Sequence, residues 1–234
     1  MTESSAAEVE ARRYQSIFPD VAGICSRDLL RDSLLPSTNS EMISWNLRGH
    51  KVLLVDVRTN AERGVSMIAG AISLDEFKSE VLPSLETKQS ASQPDMIVTY
   101  CTIGYRSGME ASKLIAENPT CFVSWDGNGK GVQEEGVDNR TKVANLDGII
   151  PFANGCLQYD NMNTDNQHLI INPRNNGAAS EKRIHVYGPS WKKYLSSNYY
   201  EAVTFSKIEF ALRGTTVIFR SVLSRISSCI HCKR

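Results

Sequence analysis

The sequence carries no excess of either charge. Lysine plus arginine and aspartate plus glutamate number 26 each in 234 residues, which argues against a general nucleic-acid binder, because such proteins set positive charge against phosphates. No apolar run approaches the ~20 residues needed to span a bilayer. The opening stretch MTESSAAEVEARRYQ has no apolar segment of signal-peptide type, and Glu3, Glu8 and Glu10 fit poorly with an acid-poor transit peptide. Cysteine is scarce: Cys25, Cys101, Cys121, Cys156, Cys229 and Cys232 are too few to staple a chain of this length. These absences point to a reducing, cytoplasmic setting in which thiols stay free for chemistry. What is present is a 41% share of hydrophobic residues, enough for a packed core in one full domain with extensions.

Two short apolar runs organise the chain. Val52-Leu53-Leu54-Val55 and Met96-Ile97-Val98-Thr99-Tyr100 read as strands buried on both faces of a parallel sheet. Ser26 caps a predicted helix from Arg27 to Leu35, ended by Pro36. Ala69 to Leu74 reads as a short strand, Asp75 to Leu82 as a helix stopped by Pro83, and Ser107 to Ala116 as a second helix. Cys121 to Trp125, Lys142 to Leu146 and Ile184 to Gly188 are further strand candidates. The predicted organisation is an N-terminal arm over 1–19, an α/β domain over 20–160 with a glycine- and charge-rich loop insertion at 126–140, and a C-terminal extension over 161–234, part loop and part amphipathic helix.

Several features read most simply as structural. Asp126, Asn128 and Gly131 match a calcium loop, but Lys130 and Val137 stand where oxygen ligands are required, so 126–140 reads as a surface loop. Cys229-Ile230-His231-Cys232 offers at most three ligands with no second pair, so neither a metal site nor a cofactor is expected. His185 is a lone histidine in a strand pattern and reads as a packed residue. Residues 207–234 mix apolar side chains with Arg213, Arg220 and Arg225. Docking on the domain is the default reading there, and weak contact with a membrane or partner, with a lipidated Cys229 or Cys232, is the alternative.

The chemistry is concentrated in Cys101-Thr102-Ile103-Gly104-Tyr105-Arg106-Ser107-Gly108. A cysteine ends a buried strand, four residues separate it from an arginine, and a helix follows. Ser107 and Glu110 have capping-box spacing. A helix N-terminus presents unpaired N–H groups and the positive end of its dipole. Together with Arg106 it favours the thiolate, which is the nucleophilic form. The same ring of amides would hold an anionic sulfur species, with Gly104 supplying the bend.

These marks resemble the rhodanese-like superfamily over roughly residues 20–160. They are Asp56-Val57-Arg58 after a buried strand, Glu62, Val65-Ser66-Met67-Ile68-Ala69-Gly70-Ala71-Ile72, the segment from Tyr100 to Gly108, and Asn145-Leu146-Asp147-Gly148-Ile149. The resemblance implies a three-layer α/β/α fold with a central, mostly parallel sheet. It also implies a persulfide formed on Cys101, a substrate loop of Thr102, Ile103, Gly104, Tyr105 and Arg106, and no cofactor. Asp56, Arg58, Glu62 and Ser107 would support the fold, the first three through an ion-pair group. The implied partners are a small sulfur donor, such as thiosulfate or a persulfide, and a thiol or cyanide-like acceptor. Related phosphatases carry one more residue between cysteine and arginine, and the shorter loop here suits a sulfane sulfur. Met67 stands where many members have histidine, and Ile149-Ile150-Pro151-Phe152 replaces the more usual glycine-rich turn, which alters the rim of the pocket. The competing expectation is a rhodanese-like interaction or regulatory module with little turnover.

Overall fold

The structure, a computed structural model, describes residues 5–33, 44–87, 93–129, 139–159, 169–173, 182–196 and 199–204. Residues 207–234 with Cys229 and Cys232, and most of the 126–140 insertion, lie outside the described residues.

The chain opens with α1 (Ala6–Gln15), whose N-terminus is closed by a reciprocal capping box between Ser5 and Glu8. Then follow β1 (Ala22–Ile24), α2 (Ser26–Ser33), β2 (Trp45–Leu47), β3 (His50–Asp56), α3 (Asn60–Arg63), β4 (Met67–Ile68), β5 (Ile72–Ser73) and α4 (Leu74–Glu76). A π-helical turn, Phe77–Val81, joins α4 to α5 (Leu82–Thr87). After it come β6 (Met96–Tyr100), α6 (Tyr105–Glu117), β7 (Phe122–Ser124), β8 (Thr141–Leu146), α7 (Ile149–Tyr159), β9 (Ile170–Ile171), β10 (Arg183–His185) and β11 (Glu201–Val203).

The main sheet runs β1-β8-β6-β3-β2, with β5 against β3 and β7 against β8. All its pairings are parallel except β2 with β3. Parallel strands need cover on both faces, and the core divides accordingly. One face packs Leu29 and Leu30 of α2 and Ile149, Ile150, Phe152 and Ala153 of α7 against Leu54, Val98, Tyr100 and Leu146. The other packs Phe77, Leu85, Ala111 and Leu114 against Val55, Ile97 and Val143. The result is the three-layer α/β/α arrangement expected from the sequence.

Several local expectations are corrected. The helix expected to stop at Pro83 instead continues past it to Thr87, with the π-helical turn Phe77–Val81 just before the proline changing the hydrogen-bond step there. The helix expected from Ser107 starts at Tyr105, with Gly104 as its N-cap. The Ser107–Glu110 capping box does not form, because the Ser107 hydroxyl donates to Asn145 Oδ1 at 2.7 Å. Ile149 to Phe152, read as an altered turn, opens α7.

The sheet register aligns the strand ends. Thr99 pairs with Asn145 and Ile24 with Leu146, so Cys101, Asp147 and Cys25 follow in one row past the carboxyl edge. Asp147 is buried there and accepts from the Ser26 N–H at 3.0 Å and from the Ser26 hydroxyl. Burial, against the pull of those bonds and reinforced by the Glu8 charge, lifts its carboxyl to about 7. A raised carboxyl makes the folded state the better proton binder between the unfolded value near ~3.9 and about 7. Stability is therefore fully present below that window and falls as pH rises through it, by up to about 4 kcal/mol. Urea midpoints at pH 5 and pH 8 should show this decline shrinking in Asp147→Asn; parallel pH profiles for the two proteins would refute it.

Candidate active site

The loop after β6 is shaped by what its carbonyl groups do. The Cys101 and Thr102 carbonyls accept from the N–H groups of Ile149 and Ile150 at the start of α7, at 2.9 and 3.3 Å. The Gly104 carbonyl accepts from Asn145 Nδ2 at 2.8 Å. With those oxygens tied to the surrounding protein, the N–H groups from Thr102 through Ser107 donate to no acceptor among the described residues. Thr102, Ile103 and Gly104 are buried. Buried amides without acceptors are costly and rare, and a run of them beside a cysteine is a seat for an anion.

Two glycines permit this path. Gly104 has φ +91°, a left-handed conformation that L side chains resist. Gly148, at φ +113°, lies so close to the loop that a Cβ would meet the Thr102 carbonyl oxygen at 2.5 Å and the Ile103 nitrogen at 2.6 Å.

Cys101 is 1% exposed, yet it belongs to neither apolar cluster of the core. A negative charge on Cys101 would favour the Arg106 guanidinium across the loop. Burial works against that cation, but Glu62 more than offsets it and holds its pKa above the usual value. The pair is bidentate: Arg106 Nη1 and Nη2 donate to Glu62 Oε2 and Oε1 at 2.9 and 2.7 Å. Nη2 also approaches Thr102 Oγ1 at 3.4 Å.

Glu62 is fully buried. Burial alone would raise its carboxyl, but His185, Arg106 and the Thr59 N–H together hold it well below the usual carboxylate range. Asp56 and Arg58 form their own buried fork, with Nη2 to Oδ2 at 2.7 Å and Nε to Oδ1 at 3.0 Å. Arg58 Nη2 also donates to the Ser66 carbonyl at 2.6 Å. The expected ion-pair group is thus two pairs: Asp56 with Arg58, and Glu62 with Arg106. Ser107 braces the loop through Asn145.

The structure brings Cys101, Thr102, Ile103, Gly104, Arg106, Glu62 and Ser107 together around one loop. Tyr105 turns outward instead, 42% exposed, where it packs edge-on to Tyr14 and against Phe18. Its backbone N–H belongs to the loop, while its ring forms part of the surface. His185, read as a packed residue, is buried, but its Nδ1 lies 3.4 Å from Glu62 Oε1. No local pattern marks it, because its partner is far away in sequence. Cys25 stands two strand spacings from Cys101, about 10 Å, which is too far for a disulfide without backbone movement. None of the described cysteines forms a disulfide. Among the described residues there is no cluster of three or more candidate metal ligands, and no helix is long and apolar enough to cross a membrane.

Comparison with known proteins adds one informative match. No curated protein matches the chain. A solved structure of a protein of unknown function from Rhodopseudomonas palustris, described as a possible tyrosine phosphatase, is 16% identical and covers 63% of this chain and 88% of its own, with a TM-score of 0.28. That likeness is too loose to bear on fold or activity. The family model of the rhodanese-like domain matches residues 41–150, a span that holds the Asp56–Arg58 fork, Glu62, the Cys101 loop and the Asn145–Gly148 brace. This chain therefore carries a rhodanese-like domain.

Proposed function

We propose that the protein is a sulfurtransferase that carries sulfane sulfur on Cys101. The observation behind this reading is the run of amides from Thr102 to Ser107, without an acceptor among the described residues, that follows Cys101 and includes Arg106. Such a ring stabilises both a thiolate and the persulfide anion that replaces it. The Cys101 thiolate attacks the outer sulfur of thiosulfate or a persulfide. The donor's S–S bond breaks, and its electron pair leaves with sulfite or with the donor thiolate. A thiolate or cyanide acceptor then attacks the terminal sulfur of the Cys101 persulfide and frees the thiolate, giving ping-pong kinetics. A reducing, cytoplasmic setting suits this cycle, since the acceptor-ready thiol must not be lost to a disulfide.

Thiosulfate treatment followed by mass spectrometry should find one added sulfur on the peptide bearing Cys101, and cyanide should release it as thiocyanate. Cys101→Ser should lose both signals. Transfer at the parental rate by the serine variant would end the proposal. The second reading is an interaction module without turnover, and it is favoured by the 1% exposure of Cys101. Well-folded protein that gives neither persulfide nor thiocyanate would establish it.

A further inference from the structure

The residues that hold Arg106 do not all come from the matched span. β10 lies beyond residue 150, yet its backbone is tied to the Asp56–Arg58 region: the His185 N–H donates to Ser66 Oγ at 3.3 Å, and the Ser66 carbonyl accepts from Arg58. β9 adds a second tie, pairing antiparallel with β4 through Met67 with Ile171 and Ile68 with Ile170. The imidazole of His185 is then placed against Glu62, on the carboxylate oxygen that also receives Arg106 Nη2. Two residues on, Tyr187 lays its ring over the Arg106 guanidinium at 5.3 Å. Tyr187 is 58% exposed, so this contact is made at the protein surface.

We propose that residues 183–187 complete the cysteine site, with His185 as a positioning residue that fixes Glu62 and through it Arg106, and Tyr187 as the residue that controls which anions reach that guanidinium. The observation is the chain of contacts from His185 to Glu62 to Arg106, closed from outside by Tyr187. A carboxylate gripped on one side only could rotate about its terminal bond and carry Arg106 with it. The Thr59 N–H at 3.0 Å and hydroxyl at 2.9 Å fix Oε2, and His185 Nδ1, 3.4 Å from Oε1, limits how the other oxygen can turn. Arg106 then keeps its cation at the cysteine loop, where Nη2 approaches Thr102 Oγ1. The tyrosine ring covers one guanidinium face, so an incoming anion can meet only the in-plane donors that Glu62 and Thr102 do not take, an arrangement suited to a small oxyanion-bearing donor. The proposal deepens the sulfur-transfer reading, but the positive field it describes exists whether or not sulfur is transferred.

The test reads that field directly. Rates of Cys101 alkylation by iodoacetate and by iodoacetamide, followed on the peptide bearing Cys101, give a selectivity for the anionic reagent. Circular dichroism and urea unfolding report folding in parallel. Wild-type protein should favour iodoacetate at Cys101 more than at Cys121. His185→Ala should lower that selectivity by about tenfold, as expected for a misplaced charged group, and His185→Asn, which can present an amide to Glu62, should restore most of it. Tyr187→Leu, a surface change that leaves the fold intact, should raise both alkylation rates and weaken the preference for iodoacetate. Unchanged selectivity in folded His185→Ala overturns the role of His185. If that variant fails to fold, unchanged rates and selectivity in Tyr187→Leu overturn the proposal, as does wild-type protein that shows no preference at Cys101. Retained selectivity without any persulfide from thiosulfate would reject the sulfurtransferase reading and leave this inference standing.

Discussion

Glu62→Ala is expected to lower folding stability by on the order of 3–5 kcal/mol, the usual cost of removing one partner from a buried ion pair. Glu62 is fully buried and accepts both guanidinium nitrogens of Arg106, the Thr59 N–H and the Thr59 hydroxyl. Deleting it leaves a half-buried cation without its anion and removes the capping box that starts α3. Glu62→Gln keeps the shape and one acceptor oxygen, but turns an amide toward the guanidinium donors, so about 1–3 kcal/mol is expected. Urea unfolding measures both. An alanine variant within about 1 kcal/mol of wild type, the size of an exposed pair, would mean that solvent already carries most of the Arg106 charge.

Gly148→Ala should abolish persulfide formation on Cys101 while costing about 1–3 kcal/mol of stability, the range for a residue forced into a strained backbone region. The added methyl would meet backbone atoms of the active loop, the Thr102 oxygen, Ile103 nitrogen and Ile103 Cα at 2.5, 2.6 and 2.7 Å. No side chain can swing aside there, so the loop itself must move, and its amides with it. Gly127→Ala is the matched control. Gly127 also has positive φ, +85°, but a Cβ there has nothing within 4 Å, so it should lose some stability and keep full sulfur transfer. Mass spectrometry of Cys101 and thermal unfolding of both variants separate the two effects. Normal persulfide yield in Gly148→Ala would show that the loop tolerates a shift of its amides.

The readability of this chain follows the range of the interactions involved. Met96–Tyr100 was legible because a strand flanked on both sides and covered on both faces must be an unbroken apolar run. The cysteine loop was legible because its parts are contiguous. The start of α6 was misplaced because Ser107 looks like a cap in isolation, whereas Asn145, on a neighbouring strand, claims its hydroxyl. The start of α7 was missed because Ile149 to Phe152 was compared with a glycine-rich turn, although this apolar run suits a helix and proline is tolerated in a first helical turn. Glu62 was placed with Asp56 and Arg58 by proximity in sequence. Its true partners, Arg106 and His185, arrive through sheet topology and through an extension that packs back on the domain. No local pattern encodes such meetings.

The order of residues along the chain has a consequence for the protein during its synthesis. Cys101 leaves the ribosome before any of the groups that shape its surroundings from downstream. Asn145, which draws the Gly104 carbonyl outward, follows it, then α7, which takes up the Cys101 and Thr102 carbonyls, and last His185. Chains grow from the N-terminus and domains fold as units, so the cysteine of a nascent chain lacks these contacts until translation has passed β10. A truncated product ending before residue 183 would carry the cysteine without its full setting.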